Sequence, residues 1–258
     1  MTSVISTPEI PLPPTQDELP CDDGIPMETQ RHKLQMDLLL DTLQFWLDQR
    51  EDGYIGGNMF IYFSTEQARN QDFRGPDFFA VLGVPKTERK SWVVWEEGKA
   101  PNVVIELLSE STKQEDKTRK KQVYQNQMRV PEYFWYDPFN PEDWAGFALE
   151  KSEYQPLEKD EKQRYISEQL GLALVQWQGS YKGVETVWLR WETLEGELLP
   201  TERELREQAQ QEAQQAQQEA QQAQQEAQEA QQEAQQIQQT NEKLTAKLRE
   251  LGIDPETV

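Results

Sequence analysis

Apolar residues recur at Met36, Leu39, Leu40, Leu43, Trp46 and Leu47, the spacing of one helical face, so METQRHKLQMDLLLDTLQFWLDQRE predicts a long amphipathic helix. The pattern then changes. GGNMFIYFS, PDFFAVLG, SWVVW and PNVVIELLS are short and rich in β-branched and aromatic residues, which predicts strands. A polar helix, STKQEDKTRKKQVYQNQ, leads to a strand EYFWYD that is closed by Pro138. WAGFALE, LALVQWQ and VETVWLRW complete the set. An order of helix, strands, helix and strands predicts a mixed α/β (α+β) domain built on one central sheet.

Beyond residue 200 the periodicity is of another kind. Ala209, Ala213, Ala216, Ala220, Ala223, Ala227, Ala230, Ala234 and Ile237 alternate steps of four and three, and Asn241, Leu244, Leu248 and Leu251 continue the series. That is an unbroken heptad seam with Ala in most core sites. At the helical rise such a rod is about 70 Å long. Asn241 falls at an a position, where a polar residue fixes register and oligomer state. Glu212, Glu219, Glu226 and Glu233 fall at g and mostly face Gln at e, so no opposite charges cross the seam there. The pattern predicts a homodimer joined over 209–251, weakly through the alanines and more strongly from Ile237 to Leu251. A single solvated helix or a biased low-complexity tail is the bland alternative.

The chain therefore divides into a Pro- and acid-rich segment (1–26), a domain (27–196), a Gln/Ala/Glu-rich coiled coil (201–251) and a tail (252–258). The first segment buries little and is expected to be extended or disordered, with parts of it lying against the domain. All eight Trp fall within 27–196. That segment can build one core of ordinary domain size. No apolar run reaches the ~20 residues of a membrane-spanning helix. MTSVISTPEIPLPPTQDELPCDDGIP lacks the basic start and apolar core of a signal peptide, so a cytoplasmic protein is expected.

Charge and composition exclude several chemistries. The 258 residues hold 26 Lys+Arg and 47 Asp+Glu, a net charge of -21. Residues 201–258 contain 12 acids and five bases, leaving 35 and 21 in the first 200, a net of -14 there. A uniformly basic nucleic-acid binder is excluded, though a small basic cleft in an acidic body is not. Cys21 is alone, which removes disulfide frameworks and thiolate zinc cages. His32 is the sole histidine, so imidazole clusters are absent and any Ser-His-Asp or Cys-His apparatus would need His32 itself. Carboxylates and lysines must carry any chemistry.

One set of residues fits that requirement. Asp77 starts a strand, and Glu106 interrupts the apolar run VVIELL, where an ionised carboxylate is costly without a partner. Two carboxylates and a backbone carbonyl such as that of Leu107 make a hard oxygen site suited to Mg²⁺. In the following helix Asp116, Lys120 and Tyr124 are spaced i, i+4, i+8 along one face. Lys113, Lys117, Arg119, Lys120 and Lys121 place five bases within nine residues. A metal beside a lysine suits phosphodiester hydrolysis, since both offset charge developing on the phosphate. Each residue also has a plain structural reading: a turn carboxylate for Asp77, a Glu106–Lys120 salt bridge, a solvated helix face, and packing for Tyr124.

The ordered string GPDFFAV, PNVVIELLSEST, D-x3-K-x3-Y and VPEYFWYDP resembles the Uma-type restriction-endonuclease family of bacteria, within the PD-(D/E)xK nuclease superfamily. The resemblance spans about residues 27–190. It implies a restriction-endonuclease-like mixed β-sheet flanked by helices, with Asp77 and Glu106 as metal ligands and Mg²⁺ or Mn²⁺ as cofactor. The superfamily's acid-x-Lys is Glu106-Leu107-Leu108 here, and Lys120 on the next helix matches the displaced lysine. Glu110 stands where the family string usually has Pro. Glu28 matches the acid of the superfamily's N-terminal helix, and His32 reads as packing or capping. The expected function is a Mg²⁺-dependent DNA endonuclease with Asp77, Glu106 and Lys120 catalytic and Glu28, Asp116 and Tyr124 in support. An RNA substrate is a weaker variant. The alternative is a catalytically weak or inactive nuclease fold serving as a coiled-coil interaction or DNA-binding module.

Overall fold

The computed structural model describes residues 12–21, 29–70 and 75–250. The chain forms two units, Met1–Glu202 and Arg203–Val258. The first is a mixed α/β domain. It runs α1 (Gln30–Asp48), β1 (Tyr54–Gly56), β2 (Ile61–Tyr62), α2 (Thr65–Asn70), β3 (Phe78–Val81), β4 (Trp92–Val93), α3 (Val94–Glu97) and β5 (Val103–Leu107). A helical run over 113–128 follows, alternating the α turns α4 (Lys113–Glu115) and α5 (Lys121–Val123) with π turns (Asp116–Lys120, Tyr124–Met128). Then come β6 (Glu132–Tyr136), β7 (Trp144–Glu150), β8 (Glu153–Pro156), β9 (Tyr165–Ser167), β10 (Leu172–Tyr181) and β11 (Val184–Glu192).

The expectation of one central sheet needs correction, because the strands form three sheets. The main one has the order β1-β3-β5-β6-β7-β8, the second β11-β10-β9, and the third pairs β2 with β4. Within the main sheet only β5 and β6 are parallel. A parallel pair needs a long crossover, and the 113–128 run supplies it. The long β10–β11 hairpin turns at Lys182 and Gly183, both at positive φ, and so forms its own layer. SWVVW is also only partly a strand. After Val93 the chain turns into α3, which ends at Gly98 with φ +71, the left-handed conformation glycine adopts without strain.

Alternation along the main sheet builds two cores. Phe78, Ala80, Val103, Ile105, Leu107, Phe134 and Tyr136 face α1 and the second sheet. Phe79, Val81, Val104, Tyr133 and Phe147 face the opposite way, toward Val123, Tyr124 and Met128 of the crossover. The apolar face of α1 is broader than its sequence pattern predicts, because α1 is sandwiched. Met36, Leu39 and Leu43 meet the main sheet, while Leu34 and Leu38 meet Tyr181 and Trp188 of the hairpin.

Gln35, fully buried, explains how a helix can cover a sheet edge. Its amide accepts from the Leu189 N–H at 2.9 Å and donates to the Leu189 carbonyl at 2.8 Å. The side chain thus does for edge strand β11 what a neighbouring strand would do.

Of the segment expected to be extended or disordered, residues 12–21 lie on the domain. The Trp95 indole donates to the Pro14 carbonyl at 2.9 Å and the Tyr62 hydroxyl to that of Pro20 at 2.6 Å. Lys90 pairs with Asp17, and Leu19 packs beside Phe60, Tyr62 and Val93. Prolines leave their carbonyls free to accept from the domain's aromatic donors.

The second unit holds α6 (Glu202–Glu250), a continuous helix of 49 residues. Its side chains include Ile237 and Leu244, exposed by 55% and 56%. Leu251 and the 252–258 tail lie outside the described residues. No described helix is long and apolar enough to cross a membrane.

Gln35→Leu leaves two backbone groups of β11 buried without partners, each costing about 1–3 kcal/mol. Urea unfolding should show a loss of about 2–4 kcal/mol, against less than about 0.5 kcal/mol for the exposed Lys33→Ala. Equal midpoints for the two variants would contradict this role.

Candidate active site

Register places the two acids opposite each other. Phe78 pairs with Ile105, so one step beyond the ladder Asp77 stands across from Glu106. Pro76 cannot extend the ladder, and the Asp77 side chain takes over. Its Oδ2 accepts from the Leu107 N–H at 2.8 Å. Alternation turns Glu106 toward the crossover, on the side of Val104 and Phe79.

The motif after Glu106 determines how closely the crossover follows. The Ser109 hydroxyl accepts from the Thr112 N–H at 3.2 Å and bonds the Ser111 and Thr112 hydroxyls, each at 2.9 Å. These bonds begin the helical run directly at the end of β5. The run then passes across the strand it has just left. Asp116 and Lys120 stand in its first π turn, and Tyr124 opens the second. A π turn carries an extra residue and recurs at functional sites.

Glu106 is fully buried and both of its oxygens are engaged. The Tyr124 hydroxyl donates to Oε1 at 2.6 Å, and Lys120 Nζ lies 3.1 Å from Oε2. The same Nζ lies 2.8 Å from Oδ1 of Asp116, whose side chain is 1% exposed. The Asp116 carbonyl receives the Tyr133 hydroxyl at 2.8 Å, which anchors the π turn to β6. Asp77, Glu106, Asp116, Lys120 and Tyr124 are therefore all brought together. The plain reading of a Glu106–Lys120 salt bridge is also correct. Glu28 lies outside the described residues.

Electrostatics follow from this burial. Removal from water pushes the Glu106 carboxyl up to about 8. Lys120 and the Tyr124 hydrogen bond oppose the rise, whereas the charges of Asp116 and Asp77 add to it. Burial works against the charged form of Lys120, but Glu106 and Asp116 outweigh it and hold the ammonium protonated well above its ordinary range. Burial raises the Tyr124 phenol too, so it remains a neutral donor.

One contributor was not singled out in the sequence. Tyr133 lies within VPEYFWYDP without being marked there, and its alternation with Phe134 puts it on the side of Glu106. His32 donates neither a proton relay nor a ligand here. Its Nε2 lies 2.9 Å from the Leu108 carbonyl, and its Nδ1 lies 2.9 Å from the Thr29 hydroxyl. A carbonyl accepts only, which assigns the proton to Nε2 and makes Thr29 the donor to Nδ1. The ring thereby fastens the start of α1 to the end of β5, in agreement with packing and capping.

The basic run does not form one positive face. Lys117 pairs with Asp143 at 2.6 Å, Arg119 approaches Glu115 at 3.6 Å, and Lys121 sits 3.2 Å over the Phe147 ring. Asp137 is the turn former its Pro138 neighbour suggested, accepting from the N–H groups of Phe139 and Asn140.

Among the described residues, no three His, Cys, Asp or Glu side chains form a metal-holding group. Two carboxylates with a carbonyl remain the donor set. That set fits Mg²⁺, which is commonly held by one or two carboxylates and keeps several waters. Glu106 and Asp116 share one ammonium and the Asp77 charge acts on it too, so the ionised cluster is short of positive charge.

Among solved structures, a protein described as "a putative nuclease belonging to DUF820" from Anabaena variabilis ATCC 29413 is similar to this chain. The two share 16% identity over 57% of this chain and 86% of the other, with a TM-score of 0.40. No curated protein matches. The model of the Uma2 family, described as "Putative restriction endonuclease", matches residues 18–179, well over half of the chain. That span includes Asp77, Glu106, the crossover and Tyr133, and the chain belongs to this family of restriction-endonuclease-like proteins.

Proposed function

We propose that the protein is a Mg²⁺-dependent endonuclease that hydrolyses phosphodiester bonds of DNA, with Mn²⁺ able to replace Mg²⁺. The observation that supports this most is the meeting of Asp77, Glu106 and Lys120 at the end of β5. Asp77 and Glu106 would hold the ion, together with the Leu107 carbonyl. Bound there, Mg²⁺ would supply a polarised phosphoryl oxygen and a water of lowered pKa. Lys120 is kept protonated by two acids, so it acts as a fixed positive charge and water-orienting donor rather than as a base. Tyr124 holds Glu106 Oε1 in place, and Asp77 grips the Leu107 N–H, which fixes the strand end on which the site is built.

The coiled coil would join two copies, so that two sites can address both strands of a duplex. Its seam is open on α6, where Ile237 and Leu244 stand exposed.

A second reading draws on the state of the bases. Lys117, Arg119 and Lys120 are all paired with acids, and residues 1–200 carry a net charge of -14. Affinity for DNA rests on cations that neutralise phosphates. A nuclease fold with weak or absent cleavage, acting through α6 on a partner, accounts for that balance.

Nicking of supercoiled plasmid with Mg²⁺ or Mn²⁺ separates the two. The native protein should cut, and Glu106→Ala and Lys120→Ala should each lose more than about a hundredfold in rate. No cutting, or equal cutting by all three, favours the second reading.

The raised Glu106 carboxyl gives a pH dependence. Ion binding requires the ionised form, so at ion concentrations well below saturation the affinity for Mg²⁺ should climb about tenfold per pH unit below about 8 and level off above it. A flat profile from pH 6 to 9 contradicts the assignment. The sign for stability is opposite. Without metal the folded protein holds a proton on Glu106 that the unfolded chain has lost, from the ordinary carboxylate range up to about 8. Glu106 therefore contributes less to stability as pH rises through that window.

Dimerisation is tested in the full chain. Replacing Ile237 and Leu244 by Gln should halve the mass seen by light scattering, and an unchanged mass removes the dimer.

A further inference from the structure

Resting on the metal reading above, we infer that Lys120 is the internal plug of the ion site and that Asp116 is the seat to which it withdraws. In the structure the ammonium is shared, 3.1 Å from Glu106 Oε2 and 2.8 Å from Asp116 Oδ1. Tyr124 holds Oε1 at 2.6 Å, and the ammonium faces Oε2. A divalent cation on Oε2 would lie against that like charge, so Glu106 offers Oε2 at full strength only when Lys120 draws back.

A buried ammonium cannot be released into nothing. An isolated charge in a water-poor site is costly, and Lys120 is only 18% exposed. Asp116 removes that obstacle. Its carboxylate is already in contact with Nζ, so the lysine needs a small change of rotamer rather than a new partner. The backbone beneath it is fixed, since the Tyr133 hydroxyl holds the Asp116 carbonyl at 2.8 Å. The first π turn places seat and lysine four residues apart in one turn, above the acid that both serve.

Asp116 is on this account a positioning residue acting through Lys120, not a ligand of the ion. Lys120 is cation to Glu106 in the empty site and neighbour of the reacting phosphate in the filled one. The exchange leaves the ammonium paired with a carboxylate in both states without opening it to water.

The test is direct binding of Mn²⁺, followed by calorimetry and by the paramagnetic signal of the free ion, with no nucleic acid present. Asp116→Asn should weaken Mn²⁺ binding about tenfold, the size expected for coupled charged neighbours. Lys120→Gln should leave binding equal or tighter, because the competitor is gone. In the Lys120→Gln background, Asp116→Asn should cost no more than about twofold. A tenfold loss in both backgrounds would show that Asp116 acts on the ion itself and would overturn the proposal. No loss in either would overturn it equally. If Asn at 116 prevents folding, Asp116→Glu takes its place, and any loss it causes must again vanish with Lys120→Gln. Absence of Mn²⁺ binding by the native protein refutes the metal reading beneath, a result distinct from failure of the exchange.

Discussion

The domain is organised around a carboxylate that has no apolar excuse to be where it is. Glu106 sits one residue from the end of a strand whose residues are all buried, with none of its own surface exposed. Removing one member of such a buried pair costs about 3–5 kcal/mol. The fold meets that demand locally: a turn closed by Ser109 leads into the helix at Lys113, two π turns carry a lysine and a tyrosine back over the strand, and Tyr133 ties the helix down. The parallel β5–β6 pair and its crossover are therefore as much a housing for Glu106 as a link between strands.

The opposite face of the sheet is ordinary by comparison, and its solution is mechanical. α1 lies between the main sheet and the hairpin, and the polar groups it buries have definite partners, Thr42 donating to the Leu38 carbonyl within the helix. Gln35 completes the edge of β11, and His32 closes the gap between Thr29 and Leu108. Both belong to a helix that reads from sequence as merely amphipathic. The same helix thus fixes the end of β5 from one side while the crossover fixes it from the other.

How far the sequence disclosed this depended on range. Strands rich in β-branched and aromatic residues, such as VVIEL and EYFWY, were legible, as were the α1 face and the heptad seam. Asp77, Glu106, Asp116, Lys120 and Tyr124 could be grouped because a strand, a short cap and a helix keep them near in sequence as well as in space. The division into three sheets was not legible. It depends on which strands pair, and Tyr165–Ser167 and Glu153–Pro156 are too short and polar to announce themselves. The pairing of Lys117 with Asp143 was hidden for a similar reason, since 26 residues separate the two. The π turns left no mark either, because their residues are ordinary helix formers.

Those π turns make the site sensitive to counting rather than to chemistry. Each holds one residue more than an α turn of the same rise, and each α-helical residue advances the side chain by about 100°. Losing a single residue anywhere between Ser109 and Lys120 would rotate the ammonium away from Glu106, even though every functional side chain survived. The crossover is therefore a ruler whose length is held by the strand beneath it, and its tolerance for insertion or deletion is close to zero while its exposed positions stay free to vary.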